Sequence, residues 1–142
     1  MMILTQEQLW CLTHPEQAEL QKWLEVKDEI ENLDFDDDGL REKLYQIDQK
    51  INRDGYLCTA TSIRQVFEGG PWPACTTKCT FYRIYHRDCT NIFSDILGDL
   101  NRLSHFAAGG TRQEKERCKE KLLKSVGRMI RSLQRCVKEA EQ

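Results

Sequence analysis

The longest regular pattern in the sequence lies in its C-terminal segment, and its period is helical. Apolar side chains recur there at steps of three and four residues: Leu122, Val126, Met129, Ile130, Leu133 and Val137. The segment opens with Thr111-Arg112-Gln113-Glu114, a capping box in which the threonine and glutamate side chains satisfy free backbone N–H groups. The pattern therefore predicts one long amphipathic helix from Thr111 to about Ala140.

Weaker patterns of the same kind predict helices along most of the remaining chain. Thr5 to Gln8 and Thr13 to Glu16 also fit capping boxes. Apolar stripes predict helices at about residues 6–12, 14–33, 40–52, 62–67 and 76–106. Gly109-Gly110 ends the last of these. We expect an all-α fold, a single bundle of four or five helices, whose two long C-terminal helices form an antiparallel hairpin around Ala107–Thr111.

Composition agrees with one folded helical unit. The 142 residues are 39% hydrophobic and 31% charged, which excludes a disordered chain and allows a core of ordinary size. Pro is present 3 times and Gly 8 times, and this low content favours long helices over a turn-rich β architecture. We expect residues 1–142 to form a single domain, and the break at residues 69–73 marks where two subdomains would divide.

The cysteines bear on the cellular compartment. The chain has 7 of them, an odd number, and its N-terminus lacks the apolar run of a secretory leader. No stretch approaches the ~20 apolar residues of a membrane span. Reduced thiols in the cytoplasm or the nucleus are therefore expected, rather than a disulfide framework or a membrane protein.

The net charge of −2 conceals a gradient along the chain. Residues 1–54 carry a net charge of −8, whereas residues 111–142 carry +5. Between Glu120 and Glu139 no acidic residue occurs. The basic residues of this interval step by three and four residues along the predicted helix, opposite its apolar stripe: Lys121, Lys124, Arg128, Arg131, Arg135 and Lys138.

This basic face is the main functional candidate. It predicts a non-catalytic interaction or regulatory protein that binds an acidic protein partner, and self-association through the acidic first third is a variant of that interpretation. Binding to the backbone of RNA or DNA is the alternative, because the face is long enough to follow several phosphates. Trp72, between two prolines, is a candidate surface anchor for the partner. A basic face neutralised by the acidic residues of the same chain would instead have no binding role.

Two groups of residues resemble metal sites without completing one. Cys75, Cys79, His86 and Cys89 are zinc ligands by type, and a helix extending back to residue 75 would place them on one side. Cys75 and Cys89 would then be about 21 Å apart, too far to share one ion. A Cys/His zinc-stabilised module with ligands from elsewhere, such as Cys58 or His105, remains the second alternative, although buried thiols are expected. Residues 34–39 open like a calcium-binding loop, but Tyr45 stands where that loop needs a glutamate.

Catalysis finds no support in the sequence. No P-loop, nucleophile elbow, zinc-protease or dinucleotide-binding pattern occurs, and only 3 histidines are present. We therefore expect a protein that is not an enzyme and needs no cofactor.

Overall fold

The computed structural model describes residues 3, 5–53, 56–69, 79–85 and 89–141. These residues form seven helices and no strand: α1 (Gln6–Thr13), α2 (Pro15–Glu31), α3 (Leu40–Arg53), α4 (Tyr56–Glu68), α5 (Thr80–Tyr85), α6 (Thr90–Ala107) and α7 (Arg112–Ala140). The predicted all-α bundle is confirmed. The described helices outnumber the four or five expected for the bundle: the apolar patterns predict six helical segments, and one of these is divided in two.

Two of the three predicted capping boxes are present. The Thr111 hydroxyl accepts a hydrogen bond from the Glu114 backbone N–H at 3.1 Å, and the Glu114 carboxylate accepts one from the Thr111 N–H at 3.0 Å. The same pair of bonds joins Thr5 and Gln8 at the start of α1. The box predicted at Thr13 is wrong, because the Thr13 hydroxyl donates back to the Leu9 carbonyl and His14 becomes the N-cap of α2.

Replacing Thr111 by alanine removes the hydroxyl that accepts from the Glu114 N–H at the start of the longest described helix, and it leaves the bond from the backbone N–H of residue 111 to the Glu114 carboxylate in place. We expect the free energy of unfolding to fall by about 1 kcal/mol, the usual effect of losing an N-cap side chain. Thr111→Ser keeps the hydroxyl and should stay close to wild type. Urea unfolding followed by far-ultraviolet circular dichroism measures both variants. Equal losses for the two would contradict the capping role.

The C-terminal hairpin pairs α6 with α7 in antiparallel register. Asp99 accepts a hydrogen bond from the Ser125 hydroxyl at 3.0 Å, and Asp95 accepts one from Arg128 at 2.8 Å, so later residues of α7 meet earlier residues of α6. Between the helices the chain turns so tightly that a Cβ atom at Gly110 would lie 2.7 Å from the Phe106 Cβ. Only glycine fits this turn.

The helix predicted from residue 76 to residue 106 is two helices. Of that span, α5 covers Thr80–Tyr85 and α6 covers Thr90–Ala107. The Cys89 backbone has φ −81° and ψ 0°, outside the helical range, and Cys89 serves as the N-cap of α6. Conversely, α4 is longer than the short helix predicted at residues 62–67. The proposed subdomain break at residues 69–73 lies outside the described residues except for Gly69.

One cluster of buried apolar side chains draws on α2 through α7. Trp23 is 1% exposed and meets the Phe93 ring edge to face, with the ring centroids 6.3 Å apart. The buried face of α2 is not a purely apolar stripe, because Leu24 is exposed while the charged Glu19 and Lys22 are buried. The prediction of a single domain agrees with this continuous core but stays a prediction.

None of the described helices combines the length and the apolar character that crossing a bilayer requires.

Candidate partner-binding surface

The packing of α7 determines which of its side chains reach solvent. Its apolar stripe is buried against α2 and α6, and Leu122, Val126 and Leu133 are at most 1% exposed. Because a helix turns about 100° per residue, the side opposite a buried stripe faces water. We name this side the basic row. It consists of six exposed side chains: Lys121, Lys124, Arg128, Arg131, Arg135 and Lys138.

Most of the basic row makes no ion pair within the part of the chain that the structure describes. The exception is Arg128, whose guanidinium lies 2.8 Å from the Asp95 carboxylate of α6. Arg135 lies over the Tyr85 ring, 5.4 Å from its centroid. Both contacts are at the surface, where water screens an ion pair and leaves it worth at most about 1 kcal/mol. The row therefore keeps most of its positive charge available.

Two cations of α7 contact the acidic first third of the chain, and both come before the basic row. Arg112 lies 3.1 Å from the Asp36 carboxylate, and Lys119 donates a hydrogen bond of 2.9 Å to the Glu31 carbonyl. Neither cation belongs to the basic row. Among the described ion pairs, none joins the row to residues 1–53. These contacts therefore do not show that the acidic end of the chain neutralises the basic row.

Several carboxylates of the first third are bridged by lysines close to them. Lys50 of α3 contacts both Glu25 and Glu29 of α2, at 2.8 and 3.1 Å. Its pKa is raised above the usual lysine value, first by the hydrogen bond to Glu25. Lys43 likewise contacts Asp37, at 2.9 Å. The described ion pairs of α2 and α3 thus involve nearby lysines and no member of the basic row.

The loop that begins like a calcium site is held by bonds within the protein. Asp37 accepts hydrogen bonds from the Gly39 N–H and the Lys43 ammonium, and these bonds lower the pKa of its carboxyl, the Lys43 bond most. Asp34 accepts a bond from the Asp36 N–H. These contacts are turns that lead into α3.

Sequence reasoning missed one member of the basic surface. Arg117 is exposed and lies four residues before Lys121, so the two side chains stand one turn apart on the same side of α7. The sequence-based row began after Glu120, because that residue interrupts the run of positive charge. Helical spacing was the signal that could have found Arg117. Trp72, the predicted surface anchor, lies outside the described residues.

The sequence suggested that the zinc candidates share one side of a single helix, and the described candidates do not. Cys75 and His86 lie outside the described residues. Cys79 precedes α5 and Cys89 caps α6, so these two do not share the helix that the sequence suggested. Both line one cavity together with Cys58 of α4. Within the described chain, no cluster of three or more His, Cys, Asp or Glu side chains has the arrangement of a metal site.

The chain has no significant match among protein-family models, curated proteins or solved structures. A function for this chain is therefore inferred from the arrangement of its own residues.

Proposed function

We propose that this protein is a non-catalytic interaction or regulatory module that binds an acidic protein partner through the basic row. One observation carries the proposal: six cations along one side of α7 are exposed, and only Arg128 among them pairs with a described carboxylate. From Lys121 to Lys138 the row extends over about 25 Å, because each residue of a helix rises ~1.5 Å.

An acidic helix suits this row better than a flat acidic patch. The cations repeat at steps of three and four residues, which is about 4.5–6 Å along the axis. A partner helix with Glu or Asp at the same steps repeats its carboxylates at the same distance, so several ion pairs form in register. Each exposed pair contributes only about 0.2–1 kcal/mol, and the proposed binding therefore needs several of them and weakens with salt.

The overall charge favours a protein partner over nucleic acid. The chain has a net charge of −2 and an isoelectric point near 5.9. Domains that bind the phosphate backbone of nucleic acid commonly have isoelectric points above about 9. The acidic first third would repel a polyanion as it approaches, whereas a short acidic helix can dock on α7 alone. A reducing compartment, the cytoplasm or the nucleus, belongs to the same proposal.

The test reverses the charge of Lys124, Arg131 and Lys138 together by substitution with glutamate. These three side chains are exposed and make no described ion pair, so the variant should fold like wild type. Lys27, Arg41 and Arg64, also exposed, make the control with the same change in charge on other helices, where Lys27 and Arg64 form surface ion pairs with Glu31 and Glu68. Fluorescence anisotropy then measures binding to a labelled model helix with glutamates at steps of three and four residues.

We expect the wild-type protein and the control to bind this peptide in a salt-dependent way. The charge-reversed variant should bind roughly ten- to a hundredfold more weakly, since several attractive pairs become repulsive. Equal affinity for all three proteins would overturn the proposal. Tighter binding to an RNA or DNA duplex at physiological salt would replace it with the nucleic-acid function. Purification from the native cell, with and without nuclease, identifies the natural partner.

A further inference from the structure

Three cysteines from separate parts of the chain line one cavity. The cavity has a volume of about 260 Å³, and Cys58, Cys79 and Cys89 all lie at its wall. Trp23 and Phe93 provide part of its apolar lining. The charged Glu19 and Lys22 also face it, and their side chains form a buried ion pair of 2.8 Å.

Two of these thiols interact directly. Cys58 lies in the exposed part of α4, and Cys89 is the half-buried N-cap of α6. Both line the same cavity, and each shifts the pKa of the other, although 31 positions separate them in the sequence. Two thiols at the wall of one cavity, one of them exposed to solvent, form the arrangement in which one sulfur can react and the second can follow.

The interaction between them makes the two thiols chemically different. The pKa of Cys58 is lowered to about 7, mainly because the Cys89 S–H donates to its sulfur, and the Lys22 ammonium acts in the same direction. Burial and the Glu19 carboxylate oppose this effect. The pKa of Cys89 is raised, by its hydrogen bond with Cys58 and by burial. Near neutral pH, Cys58 is thus the thiolate of the pair and Cys89 keeps the proton.

We propose that Cys58 and Cys89 form a redox-sensitive dithiol that reacts with low-molecular-weight disulfides of the glutathione type and closes to a disulfide between α4 and α6. In the first step the Cys58 thiolate attacks the oxidised disulfide, and one glutathione leaves as a thiolate. In the second step Cys89 loses its proton to water and attacks the Cys58 sulfur, which releases the second glutathione. Both cysteines are oxidised, and one glutathione disulfide is reduced to two thiols.

The other described cysteines lack this combination of features. Cys136 is fully buried in the core, and burial raises its pKa to about 12. Cys11 and Cys118 are half-buried on α1 and α7, away from the cavity. Cys79 lines the same cavity and is half-buried, so Cys58 is the more accessible of the three. The proposal does not depend on the basic row, which lies on the outer side of α7.

The experiment incubates the reduced full-length protein with oxidised glutathione, blocks remaining thiols with an alkylating reagent, and maps the peptides by mass spectrometry. We expect a peptide containing Cys58 linked to one containing Cys89. Cys89→Ser should stop at the first step and retain glutathione on Cys58, because no second thiol displaces it. Cys58→Ser should form neither product. Serine is a favourable N-cap residue, so Cys89→Ser should fold normally.

The rate of Cys58 alkylation against pH gives an independent readout. In wild type its midpoint should lie near pH 7, as the pKa of about 7 requires. In Cys89→Ala, which has no side-chain donor for Cys58, the midpoint should move toward the ordinary thiol value of about 8.5. Cys118→Ser is the matched control and should leave the midpoint unchanged. The ionisable groups that face Cys58 across the cavity are Glu19, Lys22, Cys79, Tyr82 and Cys89.

Several results would overturn the proposal. One is a disulfide that links other cysteines in preference to Cys58 and Cys89. Another is a Cys58 that reacts no faster than Cys118 and has no shifted midpoint. A third is purified protein with one equivalent of zinc that protects both thiols, because a thiolate bound to metal is not free to exchange. The last result would instead support the zinc-stabilised module.

Discussion

Replacing Trp23 by alanine should lower the free energy of unfolding by about 3–5 kcal/mol, the usual cost of removing a large buried aromatic ring. The Trp23 side chain is 1% exposed and packs edge to face against Phe93 of α6. The ring lies where α2 meets the C-terminal hairpin, so its loss removes contacts that no neighbouring residue can restore by a small shift. Urea unfolding monitored by circular dichroism measures the change.

Trp10→Ala is the matched control for this prediction. Trp10 is 39% exposed and stacks on His14, with the ring centroids 5.0 Å apart. Since most of its contacts are local to α1 and the start of α2, we expect a loss of about 1 kcal/mol or less. If the two tryptophan variants lost equal stability, the core position of Trp23 would be contradicted.

Replacing Lys22 by methionine should cost a similar amount, about 3–5 kcal/mol, for an electrostatic reason. The Lys22 ammonium lies 2.8 Å from the Glu19 carboxylate, and the two side chains are 3% and 10% exposed. It also donates a hydrogen bond of 3.4 Å to the Ile51 carbonyl of α3. Without the ammonium, Glu19 keeps a charge in a site that water hardly reaches, and that charge is no longer neutralised by Lys22.

The double variant Glu19→Leu/Lys22→Met separates this cause from a loss of packing. With both charges removed, we expect most of the lost stability to return, because two apolar side chains of similar size replace the pair. Lys27→Met is the surface control, since its pair with Glu31 measures 3.8 Å and both side chains are nearly half exposed. It should change stability by less than about 1 kcal/mol. A Lys22→Met loss no larger than that would show that water screens the buried pair.

Helix boundaries set by short-range interactions were predictable. The bonds at Thr5 and Thr111 connect residues three positions apart, so the sequence contains both partners side by side. The box at Thr13 failed for a reason equally local: its hydroxyl had a competing acceptor, the Leu9 carbonyl one turn back. A capping pattern identifies residues able to form the bonds, and it does not say which of two acceptors is chosen.

The exposure of the basic row also followed from the sequence, because the phase of an apolar stripe determines which side of a helix faces water. The burial of Lys22 and Glu19 did not. A stripe is assigned from apolar residues, whereas the face of α2 that enters the core was selected by its fit to α4 and α7. That fit buries two charges that neutralise each other and leaves Leu24 in solvent.

Features that depend on neighbours within one or two helical turns were therefore predictable from the residues alone. These features are the all-α class, the start of the long C-terminal helix, and the single-sign outer face of that helix. Tertiary packing alone decided which distant groups meet. Arg128 contacts Asp95, which is 33 positions away in the sequence. Cys58 interacts with Cys89, which is 31 positions away. Such meetings depend on the angles and distances at which whole helices pack, and local sequence periodicity contains no information about those.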